Sequence, residues 1–520
     1  MDMNAVAIIL QMLLCIIIMI LNRKIYISGF GGLFNKAPNK YSLTALGSIA
    51  CFIYGILIRS FLTPAVVITL FAIVNRITEY LTERFEGEER DAKTPILSEV
   101  NAKAKAFVYI VIAFSAIAFV FWMIIEKDIF RALCVVSTVL VSACPIPLFV
   151  SAPLALKVGD SVAKKNKILF EDISKLEDTA FCDTVLINKS GIITKGEPVV
   201  TDVFSTASLT SSGYSALKVD RSENELIRYA GIIESHSQHP IAKAVTDYAF
   251  NHSDIENTEV VGFIRFEGKG LEGKIDGSVI RGGNHGFVSN HAIIPAEIEE
   301  RAQAFCTMGK TPIYYSKDNM LLGIIAVSDS IKDNSKEGLA ELKTMDIKTL
   351  MVTGDNEKTA KAIADSVGCD EVISGVLTEE KKETCEKYKG EGNTAFICKD
   401  ENDADALIIN DDVREIASTF RISRITLLNI HHIILGFVLY NIIMIPIAAG
   451  CFAFILGHLS PMLGASFMSA ASLIFIAYAL LPNSTDVHDP GKDKKLRDKV
   501  WRRKWKKRSR SNILTISLKS

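Results

Sequence analysis

The apolar residues of this 520-residue chain are gathered into runs, and that clumping limits its fold more than any other feature. Seven runs, roughly 4–22, 43–59, 62–81, 106–126, 130–156, 427–452 and 460–481, are apolar enough to cross a bilayer. A helical span takes about 20 such residues. With 49% hydrophobic residues distributed this way, the chain reads as a polytopic membrane protein with a large soluble part. The second run is short, so 43–81 is either two spans or one broken, re-entrant helix. Ala5–Leu21 lacks a basic n-region and a small-residue cleavage site, so it is expected to be an anchor rather than a signal peptide. The loop after it carries Arg23, Lys24, Lys36 and Lys40 and no acid. The positive-inside rule makes that loop cytoplasmic. Alternation then puts 83–105, 157–426 and the C-terminal tail in the cytoplasm, and the loops near Glu126–Asp128 and Gly457–Ser460 outside.

Residues 157–426 alternate short β-branched runs (Thr184–Ile187, Leu321–Val327, Thr349–Val352, Thr394–Ile397) with amphipathic stretches such as 335–345 and 357–367. That is the pattern of an α/β domain. A Ser/Thr-rich stretch at 205–215 reads as a hinge into an inserted domain. The expected organisation is membrane helices over 1–82, a short connector over 83–105 and a membrane pair over 106–157. An α/β domain follows, from 158–204 and 314–426, interrupted by the insertion 205–313; a second membrane pair fills 427–482 and a tail 483–520. A formal net charge of −1 hides a basic run, Lys492–Arg510, with Trp501 and Trp505 four residues apart. Beside a membrane span this suits anionic lipid better than nucleic acid, and no nucleic-acid partner is expected. The plain alternative is a solvated tail that only sets topology. Ten cysteines without CxxC spacing imply no disulfide framework.

Within the α/β block, Asp183-Thr184-Val185-Leu186-Ile187-Asn188-Lys189-Ser190-Gly191-Ile192 is a buried-type strand ending in a tight polar turn. It resembles the phosphorylation loop of P-type ATPases, where the strand delivers an aspartate followed by Lys-Thr-Gly-Thr. Asn188 stands at the acceptor position, Lys189 is kept and Ser190 replaces the first threonine. Thr353-Gly354-Asp355-Asn356 matches the family's Thr-Gly-Asp-Asn, whose turn and hydroxyl offer donors to phosphate while the carboxylate organises the site. Leu377-Thr378-Glu379-Glu380-Lys381 is similar to the family's Leu-Pro-Glu-Asp-Lys, and the resemblance gives Lys381 a phosphate contact. Cys398-Lys399-Asp400-Glu401-Asn402-Asp403 resembles the family's Gly-Asp-Gly-x-Asn-Asp; Asn402 and Asp403 survive as a residual Mg2+ site, but Lys399 replaces the first carboxylate.

The likeness extends over roughly 93–481 and is nearest the heavy-metal-transporting, CPx class of that family. It implies a multi-domain membrane protein: an α-helical bundle of about seven spans, plus a haloacid-dehalogenase-like α/β domain with an inserted α+β nucleotide-binding domain. Glu234-Ser235-His236-Ser237-Gln238-His239-Pro240 is similar to the class's Ser-x-His-Pro motif. Together with Gly268, Gly270, Gly283 and Asn284, that motif implies a pocket for ATP or ADP. Glycines there let a backbone approach a planar base closely. Ser142-Ala143-Cys144-Pro145-Ile146 resembles the family's Cys-Pro-Cys, with one cysteine kept. Proline breaks the helix, and a thiolate beside freed carbonyls suits Cu+, Zn2+ or Cd2+. A small apolar residue in a kinked helix is the equal alternative for Cys144. Tyr440, Asn441, Met468 and Ser472 resemble polar positions near such a site, and His431-His432 reads as an interfacial pair or a metal entry point.

Two carboxylates and one domain are missing from this frame. The family places an actuator domain carrying Thr-Gly-Glu where this chain has only Glu83–Lys105. No N-terminal CxxC metal-binding domain occurs either. The resemblance therefore implies a pseudo-ATPase in a bacterial plasma membrane, with a place for ATP or ADP and a Mg2+ site short of its first carboxylate, that regulates or scaffolds a partner, such as an active transporter. The alternative is a diverged Cu/Zn/Cd-type pump, active alone or with a partner.

Overall fold

The computed structural model describes residues 3–85, 94–143, 145–207, 216–253, 258–376, 380–391, 394–399, 404–410, 412–453 and 457–493. Its apolar runs are helices: α1 (Met3–Leu21), α2 (Arg23–Phe34), α3 (Ser42–Ile58), α4 (Leu62–Arg84), α5 (Pro95–Ile125), α6 (Ile129–Ser142) and α7 (Ile146–Lys165), with α16 (Glu415–Ala448) and a last helix, Pro461–Ala479, after the soluble part. Among the described residues, α4, α5, α16 and the last helix are each long and apolar enough to cross a membrane. The α1–α2 pair, bent by 68°, makes a fifth, while α3 and α6 are shorter. By length and composition, the described residues thus hold four to five such spans. Each expected run is nevertheless a helix, and 130–156 is the broken pair α6–α7. Residues 43–81 form two helices, because Arg59 ends α3 in the left-handed conformation (φ 53) and α4 starts three residues later.

Three helices reach well beyond their apolar runs. Thr94 caps α5 by accepting from Leu97 N, Pro95 takes the first helical position, and Glu177 accepts from Ile96 N at 2.9 Å. Such a cap satisfies a donor that the first turn leaves open. Leu97 of α5, Leu156 of α7 and Phe420 of α16 then pack in one core with Val185, Ile187 and Ile397 of the soluble sheet. Membrane helices and α/β domain are thus joined by buried apolar contact.

That sheet has the order β1 (Ile168–Phe170), β12 (Ala406–Ile408), β11 (Thr394–Cys398), β2 (Thr184–Asn188), β9 (Lys348–Val352), β10 (Glu371–Ile373). It is parallel except at β1, which runs antiparallel to β12. Alternate side chains face opposite ways along a strand. Accordingly Val185 and Ile187 face the core shared with the stalk helices, α8 (Ile173–Ala180), α13 (Ser335–Thr344) and α14 (Glu357–Val367). Leu186, Leu350 and Phe396 face the other side with Cys385 of α15 (Glu380–Glu391).

A second, wholly antiparallel sheet has the order β3 (Thr194–Ser205), β8 (Met320–Ile331), β7 (Thr311–Lys317), β6 (Ser278–Gly283), β5 (Gly270–Ile275), β4 (Val261–Phe266). Helices α9 (Ala216–Glu234) and α10 (Pro240–His252) cover it, with α11 (His285–Ser289) and α12 (Ala296–Thr307) at its side. This sheet reaches from 194 to 331, past the expected insertion limits of 205 and 313. The cause is visible in β3: Thr194–Val200 carries Gly196, Glu197 and Pro198, poor strand formers that hold an edge position with two register shifts.

Candidate functional site

Asn188 and Val352 are register partners in the parallel pair β2–β9. The loops that follow them leave from the same carboxyl end of the sheet, where open α/β folds place ligands. After β2 comes a tight turn, Lys189–Ile193, with Gly191 at φ 80. Only glycine takes that conformation without strain. Ser190 is exposed, whereas Lys189 is buried and its Nζ lies 2.5 Å from Asp355 Oδ2. Thr353 Oγ1 donates to the same oxygen at 3.1 Å and accepts from Asp355 N at 3.2 Å. Thr311 Oγ1, from the first residue of β7, donates to Asp355 Oδ1 at 3.2 Å. Gly354 is exposed in the turn.

Two further lysines reach the Gly191 turn. Lys332 Nζ donates to the Gly191 carbonyl at 2.6 Å. The stem of Lys399 crosses the glycine: a Cβ placed on Gly191 would lie 3.5 Å from Lys399 Cδ. Asp329, at the end of β8, accepts from Thr194 Oγ1 at 2.6 Å, Gly196 N at 3.0 Å and Glu197 N at 3.2 Å, and so fixes the crossing between the two sheets. Thr311, Asp329 and Lys332 were not singled out by sequence reasoning. The signal for two of them is the polar cluster Asp329-Ser330-Ile331-Lys332-Asp333 directly after a long apolar strand. Lys381 lies in α15 with its side chain outside the described residues, as do Asn402 and Asp403.

Mg2+ asks for oxygen ligands in near-octahedral geometry. Among the described residues no three His, Cys, Asp or Glu side chains gather to hold a metal ion. Both oxygens of Asp355 and both of Asp329 already accept hydrogen bonds within the protein. The described groups do not fit a divalent ion.

The nucleotide-pocket residues come together at one end of the inserted sheet. Glu234 closes α9, buried, and accepts from Tyr315 OH at 2.8 Å. Burial pushes its carboxyl up to about 7 against the pull of that hydrogen bond. His239 caps α10, its Nδ1 accepting from Ile241 N, with Pro240 at the first helical position. Although the residue is exposed overall, partial desolvation of the ring and, less, the nearby Arg265 charge hold the imidazole below its ordinary value. Gly268, at φ 65, turns β4 into β5, and its carbonyl accepts from Asn284 Nδ2 at 3.0 Å. Asn284 Oδ1 in turn caps α11 through Phe287 N at 2.9 Å.

Gly270 and Gly283 sit opposite each other in the β5–β6 pair. A Cβ on Gly270 would come 2.3 Å from Gly282 O, and one on Gly283 2.4 Å from Lys269 O. Close strand contact beneath Phe287 therefore demands these two glycines by itself, a cause that the reading of them as room for a planar base had left out.

In the membrane, residues 143–145 interrupt α6 and α7. Tyr440 OH donates to the Ser142 carbonyl at 3.2 Å, which replaces a helical partner lost at the break. Cys144 itself lies outside the described residues. Asn441 Nδ2 donates to Phe437 O and Ser472 Oγ to Met468 O. Ser142 Oγ, Asn441 Oδ1 and Ser469 Oγ are buried without a hydrogen-bond partner. His431 and His432 bond through Nδ1 to Leu427 O and to Tyr478 OH, each at 2.8 Å.

Residues 182–408 match the haloacid dehalogenase-like hydrolase family. The copper-transporting P-type ATPase of Rhizobium leguminosarum bv. viciae is 31% identical over 417 residues, covering 75% of this chain and 48% of that protein. The copper-exporting P-type ATPase of Staphylococcus haemolyticus (strain JCSC1435) is 31% identical over 419 residues, 76% of this chain and 50% of that one. The chain thus spans about half the length of the curated relatives it matches. In fold it is similar to a zinc-transporting PIB-type ATPase solved in the E2.Pi state, with TM-score 0.58 and 17% identity over 93% of this chain and 99% of that one.

A bundle of membrane helices continuous with a haloacid-dehalogenase-like domain, itself split by an antiparallel insertion, defines an integral membrane protein of P-type ATPase architecture. Over about half of their length, the chain is similar in sequence to copper-transporting P-type ATPases, and its soluble part matches the haloacid dehalogenase-like model.

Proposed function

We propose that this chain is a pseudo-ATPase: a heavy-metal P-type ATPase-like membrane protein that binds nucleotide, forms no aspartyl phosphate, and regulates or scaffolds another membrane protein such as an active transporter. Asn188 at the end of β2 carries the proposal. A carboxamide is too poor a nucleophile to take a phosphoryl group on a catalytic timescale. Lys399 across the Gly191 turn, and Asp355 held by Lys189, support it from the side of the metal. Only residues 85–94 separate α4 from α5, where the family's actuator is expected. Glu234, His239, Gly268, Gly270, Gly283 and Asn284 form the set that would receive ATP or ADP. The protein is integral to the membrane of a bacterium, with its α/β domains and basic tail on the cytoplasmic side, and the tail, whose residues 494–520 lie outside the described ones, meets anionic lipid.

The test is ATP turnover by the purified chain in lipid nanodiscs, with Mg2+ and with Cu+ or Zn2+. The expected result is no metal-stimulated turnover above that of Asp355→Asn. Vanadate-sensitive hydrolysis that vanishes in Asp355→Asn overturns the proposal. A second reading is favoured by the unpartnered oxygens of Ser142, Asn441 and Ser469 near the membrane break. In it the chain is a diverged Cu/Zn/Cd-type pump, active alone or with a partner that supplies the missing domain. Metal flux into vesicles, lost in Cys144→Ala, would establish it.

A further inference from the structure

We propose that residues 485–493 are a strap through which an anionic membrane surface acts on the soluble domain, with Asp493 fastening the strap to Arg421. The proposal rests on the reading that the basic tail meets anionic lipid, and it adds what that contact does.

Beyond the last helix, Pro461–Ala479, the chain turns back onto the polar foot of α16. Asn483 Oδ1 accepts from Lys165 Nζ of α7 at 2.6 Å. Val487 is buried in the core that holds Leu339 and Leu342 of α13 and Phe420 of α16. His488 Nδ1 shares a hydrogen bond of 3.2 Å with Ser418 Oγ. Asp493, only 2% exposed, then accepts from Arg421 Nε and Nη2, each at 2.7 Å. Arg421 Nη1 donates to the Val487 carbonyl at 3.2 Å, and Nη2 donates to Glu341 of α13. One buried guanidinium therefore joins the soluble domain, the stalk and the end of the strap. Two-pronged pairing of this kind fixes orientation as well as charge. Arg424, three residues further along α16, is buried too, and its Nε and Nη1 have no hydrogen-bond partner. Withdrawing Asp493 would leave Arg421 with Glu341 alone, beside a second buried guanidinium. Breaking a buried pair from one side is strongly unfavourable, so the clasp is either closed or open. A tail that only set topology would need no buried carboxylate at its root.

The clasp also lies at a telling depth. Arg421 precedes by six residues the apolar run that opens at Leu427, a rise of about 9 Å along a helix. The screening length at physiological salt is about 8 Å. Asp493 is thus fastened where the charge of a leaflet is still felt, and Lys494, Lys495 and Arg497 follow it directly in sequence. A closed clasp starts the basic run beside the lipid, and anionic lipid holds the run where the clasp closes. Linkage requires that each favour the other equally. The effect reaches the soluble domain through Glu341, because α13 leads into β9, whose following loop carries Asp355.

The experiment is hydrogen exchange on the 520-residue chain in nanodiscs of phosphatidylcholine, with and without phosphatidylglycerol. Emission from Trp501 and Trp505, read against the same chain with both changed to Phe, reports whether the tail meets the lipid. The expected result is a blue shift with phosphatidylglycerol and exchange within 335–344 and 485–493 slowed about fivefold, the low end of coupling between linked sites. Asp493→Asn should keep the blue shift and abolish the slowing within 335–344. Lys494, Lys495 and Arg497 changed together to Gln, which leaves Asp493 and its partners intact, should reduce that slowing. A blue shift with unchanged exchange within 335–344 overturns this inference and leaves the lipid reading of the tail standing. Slowing that persists in Asp493→Asn also overturns it, because the lipid then acts by another route. No blue shift overturns both the tail reading and the inference. The comparison of the two lipids needs no variant, so it decides the matter even where Asp493→Asn fails to fold.

Discussion

The carboxyl end of the parallel sheet and the end of the inserted sheet both gather polar groups, but they hold them differently. Around Asn188, partners come from separate loops: Lys189 from the β2 loop, Thr353 and Asp355 from the β9 loop, Thr311 from β7 and Lys332 from beyond β8. In the inserted sheet, Asn284 and His239 each cap the helix they begin, and Gly270 and Gly283 fit each other. The first region is a network and the second a set of local bonds. A network transmits the loss of one member to the rest, whereas local bonds fail one at a time. Two carboxylates expected from the resemblance are replaced in the network, by Asn188 and Lys399, and the remaining groups have closed on one another. In the inserted sheet the expected residues all remain, and structural demands account for several of them.

The largest effect is expected from Lys189→Met. It takes the cation from the largely enclosed Asp355 side chain, and breaking such an ion pair by removing one member costs about 3 kcal/mol. Chemical unfolding of the Lys189→Met, Asp355→Asn and double variants would measure it, with the double variant well short of the sum. Full additivity would dissolve the contrast between network and local bonds.

Glu234 gives the next effect, and its sign is set by pH. Its folded value, about 7, is raised from an ordinary 4.5. The domain is therefore most stable below the unfolded value, loses stability as pH rises from about 4.5 to about 7, and is flat above that. The full loss is about 3 kcal/mol, from a shift of about 2.5 pH units. Glu234→Gln should abolish the decline, so that its unfolding free energy varies little between pH 4.5 and pH 8. A decline that persists in the variant would remove Glu234 as its cause.

Smaller effects should stay local. Gly270→Ala forces a Cβ to 2.3 Å from the Gly282 carbonyl, and the backbone must shift. About 2 kcal/mol of stability should be lost, read by thermal unfolding. Asn284→Ala removes the cap of α11 and the tie to the Gly268 carbonyl, for about 1 kcal/mol. Hydrogen exchange in this variant should change around 268–289 and leave the Asn188 network unaltered. Protection lost at Thr353–Asp355 would show that the two regions are coupled after all.

Much of this is legible in the amino-acid sequence alone. Apolar runs located the membrane helices because a bilayer demands unbroken stretches, and strand β2 with its glycine turn was legible because a fully buried strand is uniformly apolar. The helix extensions were not. Residues 95–105 of α5 and 415–426 of α16 are polar enough to read as loop, and only their contact with the soluble core makes them helix. α2 was read as a loop for the same reason, its glycines and lysines masking twelve helical residues. The reach of the second sheet beyond 205 and 313 is hard to read because β3 is an edge strand with a proline and two register shifts. In the site, motif residues were found at their places, but Thr311, Asp329 and Lys332 were invisible. Asp329 and Lys332 act through partners more than a hundred residues away, and Thr311 through Asp355, 44 residues on and at the end of the other sheet.

The most direct test of the central claim is phosphoenzyme formation. The 520-residue chain in nanodiscs would be incubated with γ-labelled ATP, Mg2+ and Cu+ or Zn2+, quenched in acid, and assayed for acid-stable, hydroxylamine-labile label on the protein. The account predicts none, in the presence or absence of metal. Stoichiometric label that depends on Asp355 would contradict it and place the chain with the working pumps it resembles.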